Sequence, residues 1–139
     1  MHLAAAQLRR IEAACEAAYP EEACGLLVGR WSGDTAHVSE VHGSANVAEA
    51  PRRAFEVDPR LLLSLHKRLR GSDETMLGVY HSHPDSAAEP SAHDLARAWQ
   101  PELIWLITSV HDGRAAETTA HRLVDGAFAP YPFSVETAS

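Results

Sequence analysis

The 139-residue sequence predicts an α/β fold, a mixed β-sheet with helices packed on its faces. Three observations predict it. Apolar residues recur at helical spacing near the start and the middle of the chain. Short apolar runs bounded by glycine have the length of buried strands. The two kinds of segment alternate in the order αββαβαβββ instead of segregating. A chain of this length is expected to form a single compact domain, here residues 1–139, around one core.

Each element follows from local signals. Residues 3–18 read as a helix because Leu8, Ile11, Cys15 and Tyr19 fall at spacings of three and four, and Pro20 stops the segment. Cys24 to Gly29 is a short apolar run with glycines, the pattern of a buried strand. Ser32-Gly33-Asp34 reads as a turn, and Thr35 to Val41 as a returning strand. Gly43 to Arg53 is small and polar and reads as a surface loop, long enough to suggest a functional one. Asp58 caps a second helix with Pro59 at its first position, Leu61, Leu62, Leu65 and Leu69 form its apolar face, and Gly71 ends it. Met76 to Tyr80 is a third strand that runs into His81-Ser82-His83-Pro84. A loop through Pro90 leads to a helix from Ser91 to about Trp99, stopped by Pro101. Leu103 to Val110 is apolar enough for a central strand. Asp112-Gly113 and Asp125-Gly126 are hairpin turns on either side of a strand from Ala115 to Val124. Pro130 and Pro132 limit the tail from Phe128 to an edge strand.

Composition excludes several classes. Twelve Lys and Arg against nineteen Asp and Glu give a formal charge of −7, the wrong sign for a nucleic-acid binder. Two cysteines, Cys15 and Cys24, do not make a disulfide framework and point to a reducing, cytoplasmic setting. Apolar runs fall short of the ~18 residues of a membrane helix. Arg9, Arg10, Glu12 and Glu16 interrupt any signal-peptide core. The expectation is therefore a protein with neither nucleic-acid nor membrane partners.

Chemistry concentrates at His81, His83 and Asp94. Residues i and i+2 of an extended segment point the same way, so the two imidazoles can meet at one point. Ser91 and Asp94, at the start of the following helix, can fold back over the strand end. Two imidazoles and one carboxylate match a catalytic zinc site, which leaves a fourth position for water, whereas a closed structural site would use thiolates in CxxC pairs that are absent here. The bland alternative is two histidines at a strand end and a helix capped by Ser91-x-x-Asp94. Zinc hydrolysis also needs a carboxylate base off the metal; Glu22 and its neighbour Glu21 are candidates, each equally readable as a solvated helix-end residue. Solvation is the expected fate of most of the seven other histidines, His2, His37, His42, His66, His93, His111 and His121. His93 lies about 100° round the helix from Asp94, so the two do not share a metal, and Glu89 reads as a solvated loop residue. Cys24 with His81 as base would make a thiol protease, but Cys24 sits in an apolar strand where small thiols are ordinary core residues.

Tyr19-Pro20-Glu21-Glu22-Ala23-Cys24-Gly25-Leu26-Leu27-Val28-Gly29, with His81-Ser82-His83-Pro84 and Ser91-x-x-Asp94, resembles the JAMM (MPN-plus) zinc metalloprotease family. That family's pattern is a Glu three residues before a Gly in the first strand, then H-[S/T]-H-P-x6-S-x2-D, and this sequence meets it at full spacing. Phe55-Glu56-Val57-Asp58-Pro59 agrees as well. The resemblance implies an MPN/JAMM domain with the layered architecture of cytidine deaminases. It implies one catalytic Zn2+ on His81, His83 and Asp94, with Glu22 as general base and Ser91 stabilising the oxyanion. Only a few residues separate the strands at Leu103–Ser109 and Ala115–Val124, where deubiquitinating relatives carry a larger insertion. Small stand-alone members are associated with ubiquitin-like sulfur-carrier proteins, hydrolysing peptide or isopeptide bonds after a C-terminal Gly-Gly. The loops Gly43–Arg53 and Asp85–Pro90 are then expected to flank the cleft. A metal-free MPN-like scaffold that only binds partners is the alternative, although such relatives usually lack a ligand and none is missing here.

Overall fold

The computed structural model describes residues 1–97 and 102–136. Its elements run β1 (His2–Ala4), α1 (Ala5–Ala18), β2 (Cys24–Ser32), β3 (Thr35–Ser44), α2 (Pro59–Leu69), β4 (Thr75–Pro84), α3 (Ala92–Arg97), β5 (Ile104–His111), β6 (Arg114–Val124), β7 (Ala127–Pro130) and β8 (Ser134–Glu136). The strands form one eight-stranded sheet in the order β7-β6-β5-β4-β2-β3-β1-β8. Hairpins make β2–β3, β5–β6 and β6–β7 antiparallel, whereas the α3 crossover makes β4 and β5 parallel. The expected α/β class and mixed sheet are both present. Asp112-Gly113 and Asp125-Gly126 close their hairpins with all four residues at positive φ, as a two-residue Asp-Gly turn requires.

Each face of the sheet is covered by a helix. Ile11 and Cys15 of α1 pack with Leu27, Leu77, Tyr80, Ile104, Leu106 and Val110 on one side. Leu65 of α2, with Leu61, Leu62 and Leu69 beside it, packs with Leu26, Val28, Phe55, Val79 and Trp105 on the other. The core is thus two apolar layers separated by the sheet, where the sequence led us to expect one. No helix among the described residues is long and apolar enough to cross a membrane.

Two elements differ from the sequence expectation. Residues 3 and 4 leave the expected helix and join His2 as β1, which pairs in parallel with β8 (His2↔Ser134, Leu3↔Val135, Ala4↔Glu136) and with β3. The tail does supply edge strands, but one at each end of the sheet, β7 and β8. The third helix begins at Ala92 as expected, and its predicted end near Trp99 and Pro101 lies outside the described residues.

Position in β4 sets up the site. Pairing with β2 skips Leu77, because Leu27 faces Gly78 while Val28 faces Met76. A bulge of this kind re-aims the side chains beyond it. Downstream of it, Val79 joins the α2-side layer and Tyr80 the α1-side layer, and strict alternation then carries His81 and His83 to the α2 side.

Candidate metal centre

His81, His83 and Asp94 converge, as their spacing predicts. The two imidazole Nε2 atoms lie 3.0 Å apart. Asp94 places Oδ1 3.2 Å from His81 Nε2 and Oδ2 3.1 Å from His83 Nε2. All three residues are buried. His81 is stacked on Phe55 at 4.4 Å between ring centroids and meets the edge of Trp105 at 5.6 Å. His83 Nδ1–H donates to the Ala87 carbonyl at 2.9 Å, which turns Nε2 toward the cluster.

Asp94 is aimed by its own helix end. Ser91 N–H donates to Asp94 Oδ2 at 2.9 Å, and Asp94 N–H donates to Ser91 Oγ at 3.0 Å. This reciprocal pair is a helix cap, so the capping reading of Ser91-x-x-Asp94 and its placement at the cluster hold together. The exposed Ser91 hydroxyl accepts through its oxygen and keeps its proton for donation.

The electrostatics suit a cation. Burial alone would push the Asp94 carboxyl up, but the hydrogen bonds from His81, His83 and the Ser91 amide outweigh it and hold Asp94 well below the usual carboxylate range. Burial lowers the pKa of His81, so its ring is neutral, the form that ligates a metal. Burial also acts to lower His83, but its bonds to Asp94 and Ala87 and the charges of Asp94 and Glu22 raise it overall. Two imidazoles and a carboxylate fit Zn2+ in a three-ligand site. Glu22 Oε1 has no hydrogen-bond partner within the protein despite its burial, which fits a carboxylate directed at a further ligand.

Glu22 and Glu21 separate cleanly. Glu21 is exposed, whereas Glu22 is buried and feels the charges of His83 and Asp94. Burial, reinforced by Asp94 and opposed by His83, pushes the Glu22 carboxyl up to about 7. Its segment lies outside the strands yet is firmly held. Ala23 N–H donates to Ser82 Oγ at 2.7 Å, and Ser82 N–H donates to Ala23 O at 3.1 Å. Ser82 thus ties the residue after Glu22 to the strand carrying both histidines. Sequence reasoning missed this role, along with those of Asn46, whose Nδ2 donates to Glu22 O at 2.9 Å, and of Trp105, whose ring meets His81. The one signal for Asn46 was an amide-bearing turn former in a loop of small residues.

The remaining candidates lie outside the cluster, although His121, paired in the sheet with Trp105, is near enough for its charge to act on His81. Among the seven other histidines none is buried, and His93 and Glu89 are exposed. Cys24 is buried in the α2-side layer with its thiol pushed up to about 11 by burial, the opposite of an activated nucleophile. Cys15 is buried in the α1-side layer and both cysteines are free. A shallow cleft of about 270 Å³ between α1 (Ala14, Ala18) and the first expected loop, Gly43 to Asn46, is lined also by Glu21 to Cys24 and Tyr80, so that of Glu22, Ser91 and the cluster residues Glu22 alone faces it. The second loop does not line it. Residues 85–90 instead brace the site, through Ala87 on His83 and through Ala88 O, which accepts from Thr119 Oγ1 at 2.5 Å.

A family model described as prokaryotic homologs of the JAB domain matches residues 4–124. The chain is 38% identical over 117 residues to the desampylase of Haloferax volcanii, covering 84% of this chain and 80% of that protein. It is 31% identical over 117 residues to the CysO-cysteine peptidase of Mycobacterium tuberculosis, covering 84% of this chain and 78% of that one. A protein of Desulfitobacterium hafniense of known solution structure superposes with a TM-score of 0.85 at 32% identity, covering 99% of this chain and 93% of that one. With relatives of this kind, the protein is a hydrolase that acts on peptide bonds. The chain belongs to the prokaryotic branch of the JAB domain family.

Proposed function

We propose that this protein is a zinc-dependent peptidase or isopeptidase that cuts after the C-terminal Gly-Gly of a ubiquitin-like or sulfur-carrier protein. The observation that carries the reading is the buried His81–His83–Asp94 cluster with the Glu22 carboxyl held near neutrality beside it. The names of the relatives support cleavage of ubiquitin-like or sulfur-carrier conjugates.

His81, His83 and Asp94 would hold the ion. When bound, zinc supplies a Lewis acid that polarises a carbonyl and acidifies a water. Glu22, buried with Oε1 unpaired within the protein, takes a proton from the attacking water and returns it to the leaving amine. The Ser91 hydroxyl donates to the developing oxyanion, where one such donor is worth about 3 kcal/mol. A glycine tail, which has no side chains to place, can lie in the cleft beside Glu22 that Ala23, Gly43, Ala45 and Tyr80 line. The sheet edges β7 and β8 are far from β4 in strand order, so neither edge strand adjoins the strand that carries the histidines.

The test is an intact-mass assay with zinc-loaded protein and a sulfur-carrier protein bearing a C-terminal extension beyond Gly-Gly. The expected product is the carrier ending in Gly-Gly, with one zinc per chain that His81→Ala loses, and with Glu22→Gln retaining zinc while losing turnover by orders of magnitude. Absence of bound zinc, unrescued by added zinc, would instead favour a binding scaffold.

A further inference from the structure

The residues around Glu22 pose a question of placement. Glu22 precedes β2, so no strand ladder holds its peptide. Its carboxyl Oε1 has no partner within the protein, so no side-chain bond aims it either. What locates it is the loop between β3 and α2. Glu22 N–H donates to Pro51 O at 2.7 Å, and Glu22 O accepts from Asn46 Nδ2 at 2.9 Å.

Asn46 is also the centre of that loop. Its Nδ2 donates to Ala54 O at 2.9 Å as well, with Pro51 O a longer third acceptor at 3.4 Å. Its Oδ1 accepts from Ala48 N–H at 3.1 Å and Glu56 N–H at 3.0 Å. A carboxamide has two donor hydrogens and two acceptor lone pairs, and here all four are used. Val47 N–H to Glu56 O at 3.0 Å closes the same ring of contacts. One side chain therefore folds the loop and grips the peptide of the proposed base. Asp would keep the two acceptor contacts but turn a negative charge on two carbonyls, and Ser is too short to span them.

We propose that Asn46 is a positioning residue for Glu22, setting the base beside the metal cluster through its grip on the Glu22 backbone. The inference rests on Glu22 being the general base. A displaced catalytic group of this kind costs about 100-fold in rate.

The experiment is a double-mutant cycle on the zinc-loaded full chain, with the extended Gly-Gly carrier followed by intact mass under single-turnover conditions. Asn46→Ala should bind zinc as tightly as the unaltered protein, lose about 100-fold in kcat with little change in KM, and exchange the Glu22 amide hydrogen faster. Added to Glu22→Gln, it should cost nothing further, because there is no longer a base to misplace. Asn46→Asp should behave like Asn46→Ala, and it replaces that variant in the cycle if Asn46→Ala fails to fold by circular dichroism. Unchanged kcat in the folded variant, or the same fold-loss in the Glu22→Gln background as in the unaltered chain, overturns the proposal. Near-normal turnover of Glu22→Gln alone is a different result: it removes the base assignment itself, and this inference with it.

Discussion

Glu22 illustrates how a side chain suited to catalysis strains the fold that holds it. Burial pushes its carboxyl up to about 7, so in the zinc-free protein the folded state binds this proton more tightly than the unfolded chain does. A raised acid pKa makes stability fall as pH rises from the unfolded value to the folded one, and the penalty is complete above about 7. Glu22→Gln removes the charge and keeps the shape. The zinc-free variant should therefore match the unaltered protein at pH 4 and exceed it at pH 8 by roughly 1–3 kcal/mol, after discounting for partial solvent contact. Urea melts at the two pH values decide it; equal stabilities at pH 8 would mean that Glu22 is not penalised by burial. The same residue shows what a sequence can reveal at this scale. His81, His83 and Asp94 are legible because strand alternation and a helix start act on side chains at fixed spacing. The choice of Glu22 over Glu21 rested on the family pattern, since either could be a solvated carboxylate. Asn46 and Ser82 act through the backbones of distant segments, which leaves no period to detect.

Among the elements, β4 matters most, since it carries both histidines and packs between β2 and β5. Its bulge was not legible in the sequence. Met76, Leu77, Val79 and Tyr80 are apolar on both faces, as in any strand covered on both sides, so no alternation betrays the skipped residue. The relation between His81 and His83 survived because the bulge lies upstream of both. Gly78 is where this strand tolerates least. A Cβ there would press into the carbonyl oxygen of Ile104 on the parallel neighbour, a backbone atom with nowhere to swing. Gly78→Ala should cost about 1–3 kcal/mol, read as a lower urea midpoint with an unchanged m-value. A variant as stable as the parent would show that β4 and β5 can separate locally at no cost.

At the scale of the whole molecule, the parts that escaped sequence reading are those joined across the full chain. β1 has only three residues, and its pairing with β8 links residue 2 to residue 134, so no local window shows it. The second apolar layer is similar, since which face each residue covers emerges only once the sheet is assembled. The candidate metal centre sits within that α2-side layer and brings together three buried polar side chains that would otherwise oppose packing. It also joins two parts of the chain, because Asp94 is the tie from α3 to the histidines of β4. A cation bound there stabilises the folded state by mass action, about 4 kcal/mol at a thousandfold excess over Kd. For a domain of this size that corresponds to a rise in Tm on the order of 10 °C, reversed by a chelator. His81→Ala should melt at one temperature with or without zinc, since it lacks a ligand, whereas Glu22→Gln should keep the full zinc-dependent shift because its carboxamide leaves the three donors in place. If chelation strips the ion without moving the melt, or if His81→Ala still responds to zinc, the ion binds elsewhere and the three side chains form only a buried hydrogen-bond cluster.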